Sequence, residues 1–173
     1  MDQFAQMAQK AMVLARKIDL EARLARFDIN DTTRANMLFI SPLLVENMDR
    51  VIISFYAYLN RFPETKALLK GRDIDILRSR QKFHWERVLR CEFDLDYAFR
   101  CMMIGIVHLR AKVSPQIYMS GYSFFATELL TVISKSHQGM NFDAAAGAVN
   151  KLIMFDMSVV LDAYWLNAVM RKI

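Results

Sequence analysis

IGIVHLRAKVSPQIYMSGY, residues 104–122, holds a single histidine inside an apolar run that breaks at a Ser-Pro pair. The break decides the fold. Ser114 offers a side-chain oxygen to the first free N–H groups of a helix, and Pro115 suits the first helical position, where its missing N–H would have had no partner. The segment therefore reads as the end of one helix, from about Leu95 to Lys112, and the start of another, from Ser114 to about Ser136. On the first helix, His108 shares its face with Cys101, Ile104, Gly105, Ala111 and Lys112.

Outward from this pair, the chain reads as further helices. Residues 3–26 form one amphipathic pattern, with Phe4, Met7, Ala11, Leu14, Ile18, Ala22 and Ala25 at helical spacing. DINDTT, residues 28–33, supplies capping side chains, so a helix is expected from Thr32 or Thr33. Pro42 is expected to begin or kink the next segment, which carries Leu43, Leu44, Met48, Ile52, Ile53, Tyr56 and Leu59 on one stripe and ends in NRFPET. A short helix at 64–70 stops at Gly71, and Asp73 caps another to about Cys91. HQGMNFD, residues 137–143, closes the helix that began at Ser114, and Asn141 or Asp143 opens a last one that runs nearly to Ile173.

The composition agrees with an all-α chain. Hydrophobic residues make up 54% of the 173, while Gly (5) and Pro (3) are too scarce for many short strands and turns. The length suits one domain with one core. Cys91 and Cys101 form neither a disulfide framework nor a CxxC, which predicts a reducing, cytoplasmic setting. MDQFAQMAQK lacks the basic and apolar regions of a secretory signal, and no stretch of eighteen residues is free of charged or strongly polar groups. Lys10, Arg16, Lys17, Arg23 and Arg26 are interrupted by Asp19 and Glu21, so they read as a solvated face. Neither a nucleic acid nor a membrane is expected as a partner.

His108 carries the chemistry. A glycine inside a helix costs about 1 kcal/mol against alanine, so Gly105 beside His108 suggests close approach of something flat, such as a porphyrin. A neutral imidazole is a standard axial ligand for haem iron. The other reading is a core histidine bonded to a backbone carbonyl, and composition and spacing alone favour that reading over a ligand. Zinc is less supported, because His84 and His137 lie on other segments. Tyr56, on the stripe with Ile52, Ile53 and Leu59, puts a phenol against an apolar surface, and its partner is either a carbonyl or a ligand carrying partial negative charge.

FYAYLNRFPET (55–65), QKFHWERVLRCEFDLDY (81–97) and IGIVHLRAKVSPQIYMSGY together resemble, in order and spacing, the haem-binding globin domain of bacterial globin-coupled sensors. The resemblance runs from about Leu24 to the C-terminus. It implies a globin fold, a three-over-three helical sandwich with an extra N-terminal helix, divided into a pre-helix (1–26) and a sensor domain (27–173). It also implies haem b, with His108 as proximal iron ligand and Tyr56 as the distal donor to bound gas. Phe55 and Leu77 should line the distal pocket, with Gln81 or Trp85 beside them. Tyr118 falls on the proximal side, and Ile104 and Lys112 complete the expected haem contacts. The helices at 114–136 and 143–171 match those that form the family's homodimer.

The sequence departs from the family in three places. Ala111-Lys112 stands where relatives carry Ile-Gly, Ile117 replaces an aromatic, and Cys91 occupies a frequent glycine position. Lys112 could pair with a haem propionate or remain solvated. The resemblance implies an O₂ sensor, with CO and NO as further ligands, which signals to a C-terminal output module. The chain itself holds no Gly-rich phosphate loop, GGDEF-like run or nucleophile motif and is not expected to be an enzyme. It reads as a domain cut from a longer protein, because the last helix remains periodic near its end, or else as a natural single-domain sensor. The alternatives are a haem-free globin-like module for protein interaction or stress signalling, and oxygen chemistry such as nitric oxide dioxygenation.

Overall fold

The computed structural model describes residues 2–136 and 141–170, with side chains up to Trp165. All regular structure among these residues is helical: α1 (Gln3–Ala15), α2 (Leu20–Arg26), α3 (Asp31–Leu59), α4 (Pro63–Leu69), α5 (Ile74–Leu89), α6 (Leu95–Arg110), α7 (Pro115–Ser134) and α8 (Phe142–Met170). His137 lies outside the described residues.

Local side-chain chemistry sets most boundaries. The side chains of Asn30, Asp73, Asp94 and Ser114 each accept a backbone N–H in the first turn of the helix that follows. Asn141 does the same for Asp143 and Ala144, which makes it the cap of α8. Two expectations fail. The pattern over 3–26 is two helices, because Asp19 accepts from the Ala22 N–H at 2.9 Å and starts α2 afresh. Of the two readings of Pro42, the helix start fails, because the residue lies within α3. Proline leaves the carbonyl four residues earlier without its usual donor. Ser41 Oγ donates to that carbonyl, Leu38 O, at 3.3 Å and replaces the lost bond.

Three helix ends turn through left-handed residues that are not glycine: Asp28 (φ 52°), Cys91 (φ 56°) and Lys112 (φ 61°). Each closes a paired hydrogen-bond motif. At the end of α6, Lys112 N–H donates to Leu109 O and Val113 N–H to His108 O. Such a conformation costs roughly 1–2 kcal/mol outside glycine, so Cys91 and Lys112 keep the glycine-type turn at some cost in stability. That accounts for two of the departures noted above: the turns are retained and only the residues differ.

The helix α8 is the centre of the fold. It packs against α3, α6 and α7, and α6 is covered on another side by α1. Leu152, Ile153, Phe155, Val159, Val160 and Ala163 are fully buried along it, each large side chain contributing on the order of 1.5–3 kcal/mol. By length and composition Phe142–Trp165 could cross a membrane, yet half of its apolar stretch is buried in the protein core. The helix α3 spans α5, α7 and α8, whereas α5 and α6 are not a close-packed pair.

Candidate functional site

His108 sits half-buried in the last turn of α6. Its Nδ1 lies 2.8 Å from the Ile104 carbonyl, which can only accept, so Nδ1 carries the proton. In the neutral ring this leaves the Nε2 lone pair for a ligand. Burial lowers the His108 pKa, against a smaller opposing effect of the Ile104 bond, and favours that neutral form. The tight turn through Lys112 and the Ser114 cap then bring Tyr118, in the first turn of α7, edge to face with the imidazole at 5.3 Å. The carbonyl partner is the one expected of a core histidine, and it also fixes Nε2 as the nitrogen left to accept a bond or a metal.

Gly105 does not face a flat ligand. A Cβ there would meet Ala163 Cβ at 2.4 Å and the Val160 carbonyl oxygen at 2.7 Å, so this glycine serves the close approach of α6 to α8. The inference that Gly105 makes room for a porphyrin is therefore wrong. Lys112 is exposed at the turn, consistent with either solvent or a group at the edge of the site.

From His108 a continuous series of rings leads to Tyr56. Tyr118 contacts Tyr122 at 4.9 Å, Tyr122 contacts Trp85 at 5.7 Å, and Trp85 stacks on Phe125 at 4.6 Å. Phe125 meets Phe55 at 4.8 Å, and Phe55 meets Tyr56 at 5.6 Å. Phe55 also fills the space over Gly121, where a Cβ would come within 3.4 Å of its ring. Tyr118, Trp85, Phe55 and Tyr56 thus belong to one aromatic wall. Leu77 and Ile104 pack half-buried against the core beside it.

The Tyr56 side of this wall is polar and unsatisfied. Burial pushes the Tyr56 phenol up to about 12, against a smaller opposing pull from Arg78, whose guanidinium lies 5.7 Å from the ring centre. No hydrogen bond of the Tyr56 hydroxyl forms among the described residues, and the group is not sealed from solvent. On α5, Arg78 Nε and Gln81 Oε1 are buried without partners. Arg87 Nε, Ser136 Oγ and Tyr164 Oη are also buried without hydrogen-bond partners elsewhere among the described residues, so the pair on α5 is open to water or to a ligand.

Sequence reasoning missed the densest polar feature. Asp156, fully buried on α8, accepts from Tyr97 Oη (2.6 Å) and Cys101 Sγ (3.6 Å) on one oxygen, and from Tyr122 Oη (2.5 Å) on the other, where His84 Nε2 also lies at 2.9 Å. Burial works against ionisation of Asp156, but the charge and hydrogen bond of His84 and the two phenols outweigh it and hold the pKa below the ordinary value. His84, Cys101 and Asp156 have ligand atoms within 4.8 Å of one another, as a metal site would require. With both carboxylate oxygens already engaged by two phenols, the cluster is a hydrogen-bond node instead. The available signal was a lone acid in the apolar run IMFDMSVV (153–160).

These residues fit a haem: a neutral imidazole with Nε2 free, an aromatic wall, and polar atoms without partners on α5. Comparison with known proteins points the same way. The sequence model of the Protoglobin family matches residues 17–168. The heme-based aerotactic transducer HemAT of Halobacterium salinarum is 26% identical over 154 residues, covering 82% of this chain. The chain spans only about a third (32%) of that relative's length. Among solved structures, the globin domain of the Geobacter sulfurreducens globin-coupled sensor is similar at a TM-score of 0.75 and 19% identity, over 83% of this chain and 96% of that one. The ferric globin domain of the E. coli DosC is similar at a TM-score of 0.62 and 19% identity, over 91% and 99%. At such identities these two structures establish the globin fold alone.

Proposed function

The chain belongs to the Protoglobin family, and on that premise we propose that it is a haem-based gas-sensor domain that binds O₂. Bound haem b supplies a ferrous iron able to take up O₂, with CO and NO as further ligands. The observation that carries the reading is the His108 tautomer, fixed by Ile104 so that Nε2 keeps a lone pair that would bind the haem iron.

The chain's own residues divide the work. His108 supplies the ligand nitrogen and Tyr118 limits the rotation of its ring. Phe55, Leu77, Trp85 and Ile104 keep water out. Tyr56 holds an uncommitted O–H donor on the distal side, where low polarity makes a hydrogen bond stronger than in water. Burial keeps that phenol protonated, so at neutral pH it donates and cannot act as an anion. Gln81 and Arg78 add polar atoms to the same side, and Lys112 offers an ammonium to a propionate at the rim.

A sensor must also transmit. The named function of HemAT, aerotactic transduction, belongs to a protein about three times the length of the match. For this chain we assign transmission to a homodimer through residues 114–136 and 143–171, driving an output module in a cytoplasmic protein. Met119 and Trp165 support that assignment, as large apolar side chains exposed on α7 and α8 (48% and 73%). The domain itself needs no catalytic group for this role.

Absorption spectra of the purified protein, as isolated, reduced, and then exposed to O₂ or CO, test the reading. An intense Soret band that shifts reversibly with gas is expected, and His108→Ala should lose stable haem. A protein that stays colourless after haem is supplied would overturn the proposal in favour of a haem-free interaction module.

A further inference from the structure

We propose that Asp156 is a positioning residue for the axial imidazole, acting through Tyr122 and Tyr118 to set how the His108 ring stands on α6. This inference rests on the haem reading above. The chain of contacts is short and directional. The single proton of Tyr122 is committed to Asp156 Oδ2 at 2.5 Å, so in the 2.7 Å contact between the phenols Tyr118 must donate and Tyr122 accept. Tyr118, fixed at its hydroxyl, then meets the imidazole edge to face at 5.3 Å.

The Ile104 bond fixes one nitrogen of His108 but leaves the ring free to tilt about that bond. The Tyr118 ring restricts the tilt. Asp156 is itself immobilised, because its partners come from α5 (His84), α6 (Tyr97 and Cys101) and α7 (Tyr122). A buried, fully bonded carboxylate holds its neighbours more rigidly than a neutral group, since each bond to it is charge-assisted. Movement of α6 with its histidine must therefore be felt at α7 and α8 through this node.

Resonance Raman spectra of the ferrous, gas-free, haem-loaded protein read the iron–histidine stretching band directly. Tyr122→Phe and Asp156→Asn should shift that band in the same direction, and the double variant should shift it no further than the larger single. Cys101→Ala, which removes only a 3.6 Å contact on a branch outside the path to His108, should shift the band less than Tyr122→Phe does. An unchanged band in folded, haem-loaded Tyr122→Phe overturns the inference while leaving the haem reading intact. An equal shift in Cys101→Ala also overturns it, because then any disturbance of the node suffices. If Asp156→Asn does not fold, Tyr122→Phe and Tyr118→Phe decide alone. If the wild-type protein takes up no haem, the haem reading falls and this inference falls with it.

Discussion

The two sides of the aromatic wall obey opposite rules. Towards α6, α7 and α8, the carboxylate of Asp156 engages three hydrogen-bond donors and His84, and the phenols of Tyr97, Tyr118 and Tyr122 are all engaged. Towards α3 and α5, Arg78 Nε and Gln81 Oε1 are buried without a partner among the described residues, while the Tyr56 hydroxyl is not sealed from solvent. Tyr164, whose hydroxyl also lacks a partner, lies beside Tyr118 at 5.9 Å, and Ser136 Oγ just past α7 lacks one too, so both are exceptions on the first side. The cost of an unpaired buried polar group, about 1–3 kcal/mol, is tolerated where a ligand can remove it. One side therefore holds the fold, and the other keeps buried polar atoms that a bound group can satisfy.

The largest test of this contrast is Asp156→Ala. It strips a buried node of its acceptor and should cost about 3–5 kcal/mol, read as a lower urea midpoint. A loss under about 1 kcal/mol would mean that the node is not structural. The same side should be sensitive to pH. Burial first, and the Asp156 charge second, hold the phenols of Tyr97, Tyr118 and Tyr122 well above 10. The folded state thus keeps protons that the unfolded chain releases, so stability is complete below pH 10 and declines as the pH rises past it. Asp156 works in the opposite sense, with stability present above 3.8 and lost as the pH falls through its lower folded value. Urea midpoints across both ranges, for wild type and Tyr122→Phe, measure these limbs, and the variant should have the shallower alkaline one.

Gly105→Ala comes next. Helix propensity alone predicts a gain of about 1 kcal/mol, but the added Cβ meets the Val160 carbonyl oxygen at 2.7 Å, and backbone moves reluctantly. We expect a net loss of about 1–3 kcal/mol by thermal or urea unfolding. A net gain would show that α6 and α8 can separate freely. On the unsatisfied side the effects should be smaller and functional. Tyr56→Phe removes a donor worth about 0.5–1.5 kcal/mol, so O₂ release in stopped flow should quicken roughly twofold to tenfold. An unchanged rate would remove Tyr56 from the distal role. Last, Gln81→Leu deletes an unpaired acceptor and should leave haem-free stability unchanged or higher by up to about 1 kcal/mol. A clear loss would mean that Gln81 already has a partner, and the contrast would fail there.

What was legible depended on the range of each interaction. The turn between α6 and α7 could be read from Ser114 and Pro115, because the cap reaches only Ile117, three residues on. The division of α1 from α2 was hidden by a continuous apolar pattern, although the deciding bond, from Ala22 to Asp19, is equally local. Pro42 misled because the hydroxyl of Ser41, its neighbour, replaces the missing donor, a rotamer choice that the residue types do not dictate. His108 and Tyr56 stood out through family resemblance, while periodicity left each with two readings.

The sequence by itself determined the helical class, the caps at Asp73 and Ser114 and the side of α6 on which an imidazole stands, because those depend on hydrogen bonds spanning two to five residues. Only the tertiary structure decided which buried polar groups are satisfied. Asp156 finds its partners 34, 55, 59 and 72 residues away, on three other helices, and Gly105 owes its place to a helix that begins beyond the next one. Such pairings exist only once helices pack, since the low-polarity interior that makes them strong is itself made by that packing.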